Sequence, residues 1–215
     1  EMREGGWLDV PAFLELTRQT LLERAAYAIG RVRSGEVEIE ESGIRWKNIT
    51  AAKVIFCEGW RGNRNHFFDW VPMNPAAGDI LELNIPDLAD EGRIISKGSW
   101  LIPIGGGRFR AGSTYHHRDH EAETNAAGAD EVLAKVRVIT RVPATVLQHR
   151  SAIRPIIRRS QIFMGLHPAH PQVAFFNGLG SKGVVNGPWH ADRLADHLVS
   201  GIPLLEEADL RRNLL

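Results

Sequence analysis

The sequence predicts a mixed fold, α/β in its outer parts and α+β overall, in which a three-layer domain is interrupted by a mainly antiparallel sheet. Three observations predict it. Near each end of the chain a largely apolar run, Lys53–Cys57 and Val173–Phe176, reads as a buried strand. The second run leads into a glycine-rich loop, Asn177–Gly183, and then into a helical pattern. Between the two runs the strands are short and separated by Gly, Pro and Asp, as antiparallel hairpins are. The reading divides the chain into residues 1–63 and 156–215, which form the layered domain, and residues 64–155, which form the inserted sheet.

Taken in order, Asp9 is a helix N-cap candidate two places before Pro11, and Phe13, Leu14, Thr17, Leu21 and Leu22 recur at helical spacing. They predict a helix from Pro11 to about Ala26. Glu36–Ile39 and Gly43–Trp46 alternate charged and apolar residues as a half-exposed hairpin, with Ser42-Gly43 as its turn. A third strand, Ala52–Cys57, is expected to be buried on both faces. Four short strands follow near 77–83, 93–95, 100–103 and 108–111, with Gly105-Gly106-Gly107 as a hairpin tip. A helix at about 129–140 and a strand at 145–153, closed by Arg154-Pro155, complete the insertion. After Gln161 the pattern is strand, loop, strand, glycine loop, helix, with Pro188 expected in the first turn of that helix.

Lys+Arg and Asp+Glu balance at 26 each, so no global charge draws the chain to nucleic acid or to an anionic membrane surface. The single cysteine, Cys57, excludes an intrachain disulfide and suits a cytoplasmic, reducing setting. No apolar run approaches the roughly 18 residues that cross a bilayer, and no signal peptide is visible. The chain begins at Glu1, not at methionine, and reads as a segment of something longer.

Arg154 is the sharpest chemical candidate, since a guanidinium holds a carboxylate at two points. It could equally cap a strand end or pair with an acidic neighbour. Arg150, Arg158 and Arg159 could add an anion-binding patch or form a solvated face. The strand–glycine loop–helix unit aims a helix N-terminus out of the sheet, a place for negative charge, though such units also serve packing alone. His116, His117 and His120, with Asp119 and Glu121, have metal-ligand chemistry but read as an exposed loop, and no metal site is predicted. Cys57 reads as a small core residue. Trp60, Trp100 and Tyr115 line a ligand cavity or pack in the core.

Four features in this order resemble the FAD-dependent D-amino-acid oxidase and glycine oxidase family. They are Gly6-Trp7-Leu8-Asp9-Val10 at a helix entry, and the apolar strand and turn Val54–Trp60. Then come the sheet segments Pro72–Leu83, Leu101-Ile102-Pro103 and Arg110-Ala111-Gly112-Ser113-Thr114. Last are Arg154-Pro155, Gly165 and Asn177-Gly178-Leu179-Gly180-Ser181-Lys182-Gly183. The match spans nearly the whole chain. Two departures stand beside it. The family opens with a strand and a G-x-G-x-x-G turn for the FAD pyrophosphate, followed by an acidic residue. Here only the late loop fits those letters, and no acidic residue on a second strand follows it. Family members also usually carry Asp and Pro where Arg159 and Ile162 stand.

The resemblance implies oxidation of the C–N bond of an amine or amino acid, by hydride transfer to FAD. Arg154 would hold the substrate carboxylate. Cys57, Glu58, Gly59 and Trp60 would lie at the flavin with Gly178, Leu179, Gly180, Ser181, Lys182 and Gly183, the Lys182 side chain in water. It also implies the C-terminal part of such an enzyme, with FAD held weakly or not at all by the isolated chain. The alternative, from another class, is an FAD-free folded module for interaction or scaffolding.

Overall fold

A computed structural model describes residues 6–117 and 123–212, and the chain forms two compact units. One comprises Glu1–Met73 and Ile156–Leu215; the other is Asn74–Pro155.

In the first unit, α1 spans Val10–Glu23, with Pro11 in its first turn and the Asp9 carboxylate accepting from Ala12 N at 3.2 Å. Its apolar residues are spaced to share a face, yet none of them is buried. Three short strands, β1 (Glu38–Glu40), β2 (Gly43–Trp46) and β3 (Ile49–Ala51), form an antiparallel meander. The sequence reading lacks β3, which is too short to show alternation. β4 (Val54–Phe56) runs parallel to β11 (Val173–Asn177), which pairs antiparallel with β10 (Phe163–Leu166) on its other side. β4 is therefore an edge strand, and Ile55 is 44% exposed. This corrects the expectation that β4 is buried on both faces.

The core of this unit gathers Phe56, Phe68, Val71, Ile157, Phe163 and Phe175. Residues 64–73, assigned from sequence to the inserted sheet, pack here through their aromatic run, which has neither helical nor strand period. α3 (Gly183–Ser200) lays Leu194 against Met164 and ends at Gly201 in the left-handed region, φ 72°. Pro188 sits in the second turn of α3, one turn deeper than expected, because the helix already starts at Gly183.

The loop from β10 to β11 places His167 among Phe67, Phe68 and His170, with ring centroids 6.1, 5.6 and 4.9 Å away. His167 Nδ1 accepts from the N–H groups of Ala169 and His170, both at 3.1 Å, so the neutral ring is the folded form. Burial first, then the neighbouring His170 and His66, lower its pKa, against a backbone hydrogen bond at Phe67. A base with its pKa lowered on folding binds more protons when unfolded. Stability is then complete above the ordinary histidine value of about 6.5 and falls as pH drops below it. Urea midpoints from pH 8 to 5 should decline for the wild type. His167→Asn, whose Oδ1 can accept the same two bonds without titrating, should decline less.

In the second unit, five antiparallel strands run in the order β6 (Ile95–Ser96), β7 (Trp100–Gly105), β8 (Arg108–Gly112), β5 (Ala76–Asn84) and β9 (Thr145–Arg154). Directly paired residues point to one face. Leu81, Leu83, Leu101 and Phe109 thus share the face covered by α2 (Ala126–Ile139), where they meet Val132 and Val136. Asp79 lies on that same face. The opposite face carries Ala76, Gly78 and Ile80, with Arg154, Ala152 and Arg150 paired beside them on β9. No helix among the described residues is long and apolar enough to cross a membrane.

Candidate active site

Arg154 is the last residue of β9, and Pro155 holds its backbone extended, so the side chain leaves the strand in a fixed direction. The guanidinium crosses β5 over Gly78. Nη1 donates to Ala77 O at 3.1 Å, and Nη2 donates to Ser113 Oγ at 2.8 Å and to Thr114 O at 3.1 Å. The Tyr115 ring lies 5.3 Å from Cζ. A guanidinium has five N–H groups, so these three bonds leave two for a ligand. Among the described residues no carboxylate stands within ion-pair distance of Arg154, and the side chain is half-buried. Burial is the main influence on its pKa and lowers it, while Tyr115 and Asp79 act to raise it. The alternative of an acidic neighbour as direct partner is not what the structure shows; the strand-end contacts to two carbonyls are present, beside a cation still able to take an anion.

Gly78 makes this crossing possible. A Cβ there would overlap both terminal nitrogens and lie 2.5 Å from Arg154 Cζ. The overlapped atoms end a flexible side chain, so the fold can absorb the change by moving the guanidinium. Gly78→Ala is therefore expected to keep the melting temperature within a few degrees. Carboxylate affinity should fall by about one power of ten, the loss of roughly one charge-assisted hydrogen bond. Calorimetric titration with a small carboxylate beside a thermal melt checks both halves.

The other candidate stretch lies in the first unit. β11 ends at Asn177, which is buried. Its Nδ2 donates to Gly59 O at 2.7 Å, and its Oδ1 accepts from Gly178 N at 2.8 Å. One amide thus ties Cys57–Trp60 to Gly178–Gly183, two stretches more than a hundred residues apart. Glu58 accepts from Asn65 Nδ2 at 2.8 Å, and the Trp60 ring has Arg61 and Arg64 at 4.4 and 4.9 Å. Cys57 is exposed, a correction to its reading as a core residue, since β4 is at the sheet edge. Beyond Gly178, Leu179 and Gly180 are half-buried, and Ser181 and the Lys182 side chain are exposed. α3 starts at Gly183; Val185 N and Asn186 N donate to Lys182 O at 3.1 and 2.9 Å, which leaves the N–H groups of Gly183 and Val184 at the positive end of the helix dipole. Gly180 has only Ile156 Cγ1, 3.8 Å from a built Cβ, beside it. The uncovered backbone at Gly180 and the N–H groups of Gly183 and Val184 fit the edge of a flat, negatively charged ring such as the flavin of FAD.

The histidine candidates diverge. His116 Nε2 lies 2.9 Å from Glu131 Oε2 and His117 Nδ1 lies 3.2 Å from Pro75 O, while Asp119, His120 and Glu121 are outside the described residues. Among the described residues no three His, Cys, Asp or Glu side chains are placed to hold a metal ion. Arg150 and Arg158 are exposed, and Arg150 Nε donates to Gln148. Sequence reasoning did not assign roles to Asn177, Gly78, Ser113 or Thr114 in these contacts. Their partners are distant in the chain, and several are backbone groups.

Comparison with known proteins places this fold. A glycine oxidase from Pseudomonas putida is 25% identical over 166 residues, 74% of this chain and 45% of the relative. Among solved structures, an iminodiacetate oxidase from a Chelativorans species aligns with a TM-score of 0.69 at 22% identity, over 80% of this chain and 51% of that one. A glycine oxidase from Bacillus cereus aligns with a TM-score of 0.65 at 18% identity, over 78% and 49%. The likeness to these two structures is one of fold. The chain spans about half the length of the relatives it matches. Residues 1–197 match the family model described as FAD dependent oxidoreductase, and the chain belongs to that family.

Proposed function

We propose that this chain forms part of an FAD-dependent enzyme that oxidises the C–N bond of a carboxylate-bearing amine. The half-buried Arg154, free of any ion-paired carboxylate among the described residues and with N–H groups to spare, carries this reading. FAD, when bound, supplies the acceptor for the hydride that leaves the carbon bearing nitrogen. Arg154 would hold the substrate carboxylate through the N–H groups it has to spare on Nε and Nη1 and so orient that carbon. The Gly183 and Val184 N–H groups at the start of α3, with the Gly178–Gly183 loop, would stabilise negative charge at one edge of the ring. Cys57, Glu58, Gly59 and Trp60 would lie at the same cofactor, tied to the glycine loop by Asn177. The names of two similar proteins point the same way: glycine and iminodiacetate each join a nitrogen to a carboxylate.

The test is anaerobic mixing of the FAD-loaded native polypeptide that carries this chain with amino acids and their decarboxylated amines. Bleaching of the visible flavin band by the carboxylate-bearing members is expected. A flavin bleached by none of them would sink the proposal. The 215-residue chain alone should bind FAD weakly, because its one G-x-G-x-x-G is the late loop without a following acidic partner. Flavin fluorescence titration measures this, and tight one-to-one binding would contradict it.

A further inference from the structure

We propose that Thr114 is a positioning residue for Arg154, transmitting the fixed position of the buried Asp79 carboxylate to the guanidinium. The inference rests on Arg154 being the carboxylate grip. Thr114 is fully buried, and its two ends serve different partners. Its hydroxyl donates to Asp79 Oδ2 at 2.7 Å and accepts from Asp79 N at 2.8 Å. Its carbonyl accepts from Arg154 Nη2 at 3.1 Å, beside the Ser113 hydroxyl that accepts from the same nitrogen. Asp79 sits on the α2 face of the sheet and Arg154 on the other, so the chain of bonds passes from one face to the other through one residue.

The far end of this chain is rigid. Asp79 is buried and also accepts from His149 Nε2 at 2.9 Å. Burial alone would raise its pKa, but the hydrogen bonds from Thr114 and His149, the charge of His149 and a bond from Ser151 outweigh it and hold the carboxyl below its usual range. The strip after β8 is clamped a second time by α2, where Lys135 Nζ donates to Ser113 O at 3.0 Å and to Glu131 at 2.8 Å. Such support matters because directional hydrogen bonding to a ligand needs the guanidinium plane held to about 10–20°. It also explains how an acidic residue can serve this cation without occupying it. Asp79 reaches Arg154 through Thr114, and the ligand-facing N–H groups stay open.

The experiment compares Thr114→Val, which keeps shape and loses the hydroxyl, with Thr114→Ser, which keeps the hydroxyl. Steady-state kinetics of the FAD-loaded protein are run on an amino acid and on its decarboxylated amine. Thr114→Val should raise KM for the amino acid about tenfold, with kcat within about twofold and the amine unaffected; Thr114→Ser should stay near wild type. The Nε–H resonance of Arg154 should move in Thr114→Val and not in Thr114→Ser. Equal changes on both substrates, or an unmoved resonance, would overturn the inference. Thr114→Ala, which leaves room for a water at Asp79, takes the place of the valine variant if that does not fold. Arg154→Ala separates the two readings. If it is selective for the amino acid while Thr114→Val is not, only the positioning role fails. If Arg154→Ala affects both substrates alike, the carboxylate reading itself fails.

Discussion

Gly178→Ala should lower the melting temperature of the chain by roughly 10 °C, the largest effect on stability expected of any single methyl group added here. Gly178 has φ 87°, where an alanine costs about 1–2 kcal/mol of backbone strain. The added Cβ would also overlap the carbonyl oxygen of Gln161 and lie 2.9 Å from Ile157 Cδ1. A backbone oxygen cannot swing aside as a side-chain tip does. Gln161 is flanked by the start of β10 and by Ile157, a fully buried core residue. Overpacking of this kind typically costs about 1–3 kcal/mol more, for a total of roughly 2–5 kcal/mol. Gly180→Ala is the control. It too has positive φ, 54°, but open space around the new methyl group, so it should cost only the backbone part. Thermal melts of the two variants separate strain from overlap. Equal shifts for both would mean that the Gln161 contact yields freely and that backbone strain alone sets the cost at both positions.

That contact also marks what a sequence can and cannot announce. The strand–glycine loop–helix order was legible because an apolar run, a run of glycines and a helical period each have a local physical cause. The Asp9 cap was legible for the same reason, one side chain three residues from its N–H. What the glycine avoids was not: Gln161 is met through its carbonyl, a group every residue has. Arg154 could be picked out by its charge and by the proline after it, but its acceptors are Ala77 O, Thr114 O and Ser113 Oγ, 77, 40 and 41 residues away. Antiparallel pairing of β5 with β9 and β8 brings them together, and register is a property of three strands at once. The misjudged burial of β4 has a similar origin. An apolar strand reads as central, but whether it has one neighbour or two is decided by the rest of the sheet. Residues 64–73 were misplaced because Phe67, Phe68 and Val71 enter a core through turns, where no period betrays the burial.

Arg154→Lys should raise the apparent KM for carboxylate-bearing amines by about one to two powers of ten, and leave simple amines nearly unchanged. The substitution preserves a positive charge but removes the planar fork. In the wild type Nη2 alone satisfies Ser113 Oγ and Thr114 O, while Nη1 holds Ala77 O, and these bonds fix the plane of the guanidinium over Gly78. A lysine ammonium has three donors at one point. It can reach some of these acceptors or the ligand, and it has no flat surface to lie against the glycine. Loss of one charge-assisted hydrogen bond and of the fixed orientation is worth about 1.5–3 kcal/mol, which gives the stated range. Because the amine without a carboxylate never used the grip, its kinetics report everything else that the mutation disturbs. Flavin content should be the same in wild type and variant, since the candidate flavin contacts are Cys57–Trp60 and Gly178–Gly183. Kinetics on an amino acid and its decarboxylated analogue, with flavin content measured by absorbance, decide the matter. A parallel rise on both substrates, or a loss of flavin, would assign Arg154 to the support of the sheet and not to recognition.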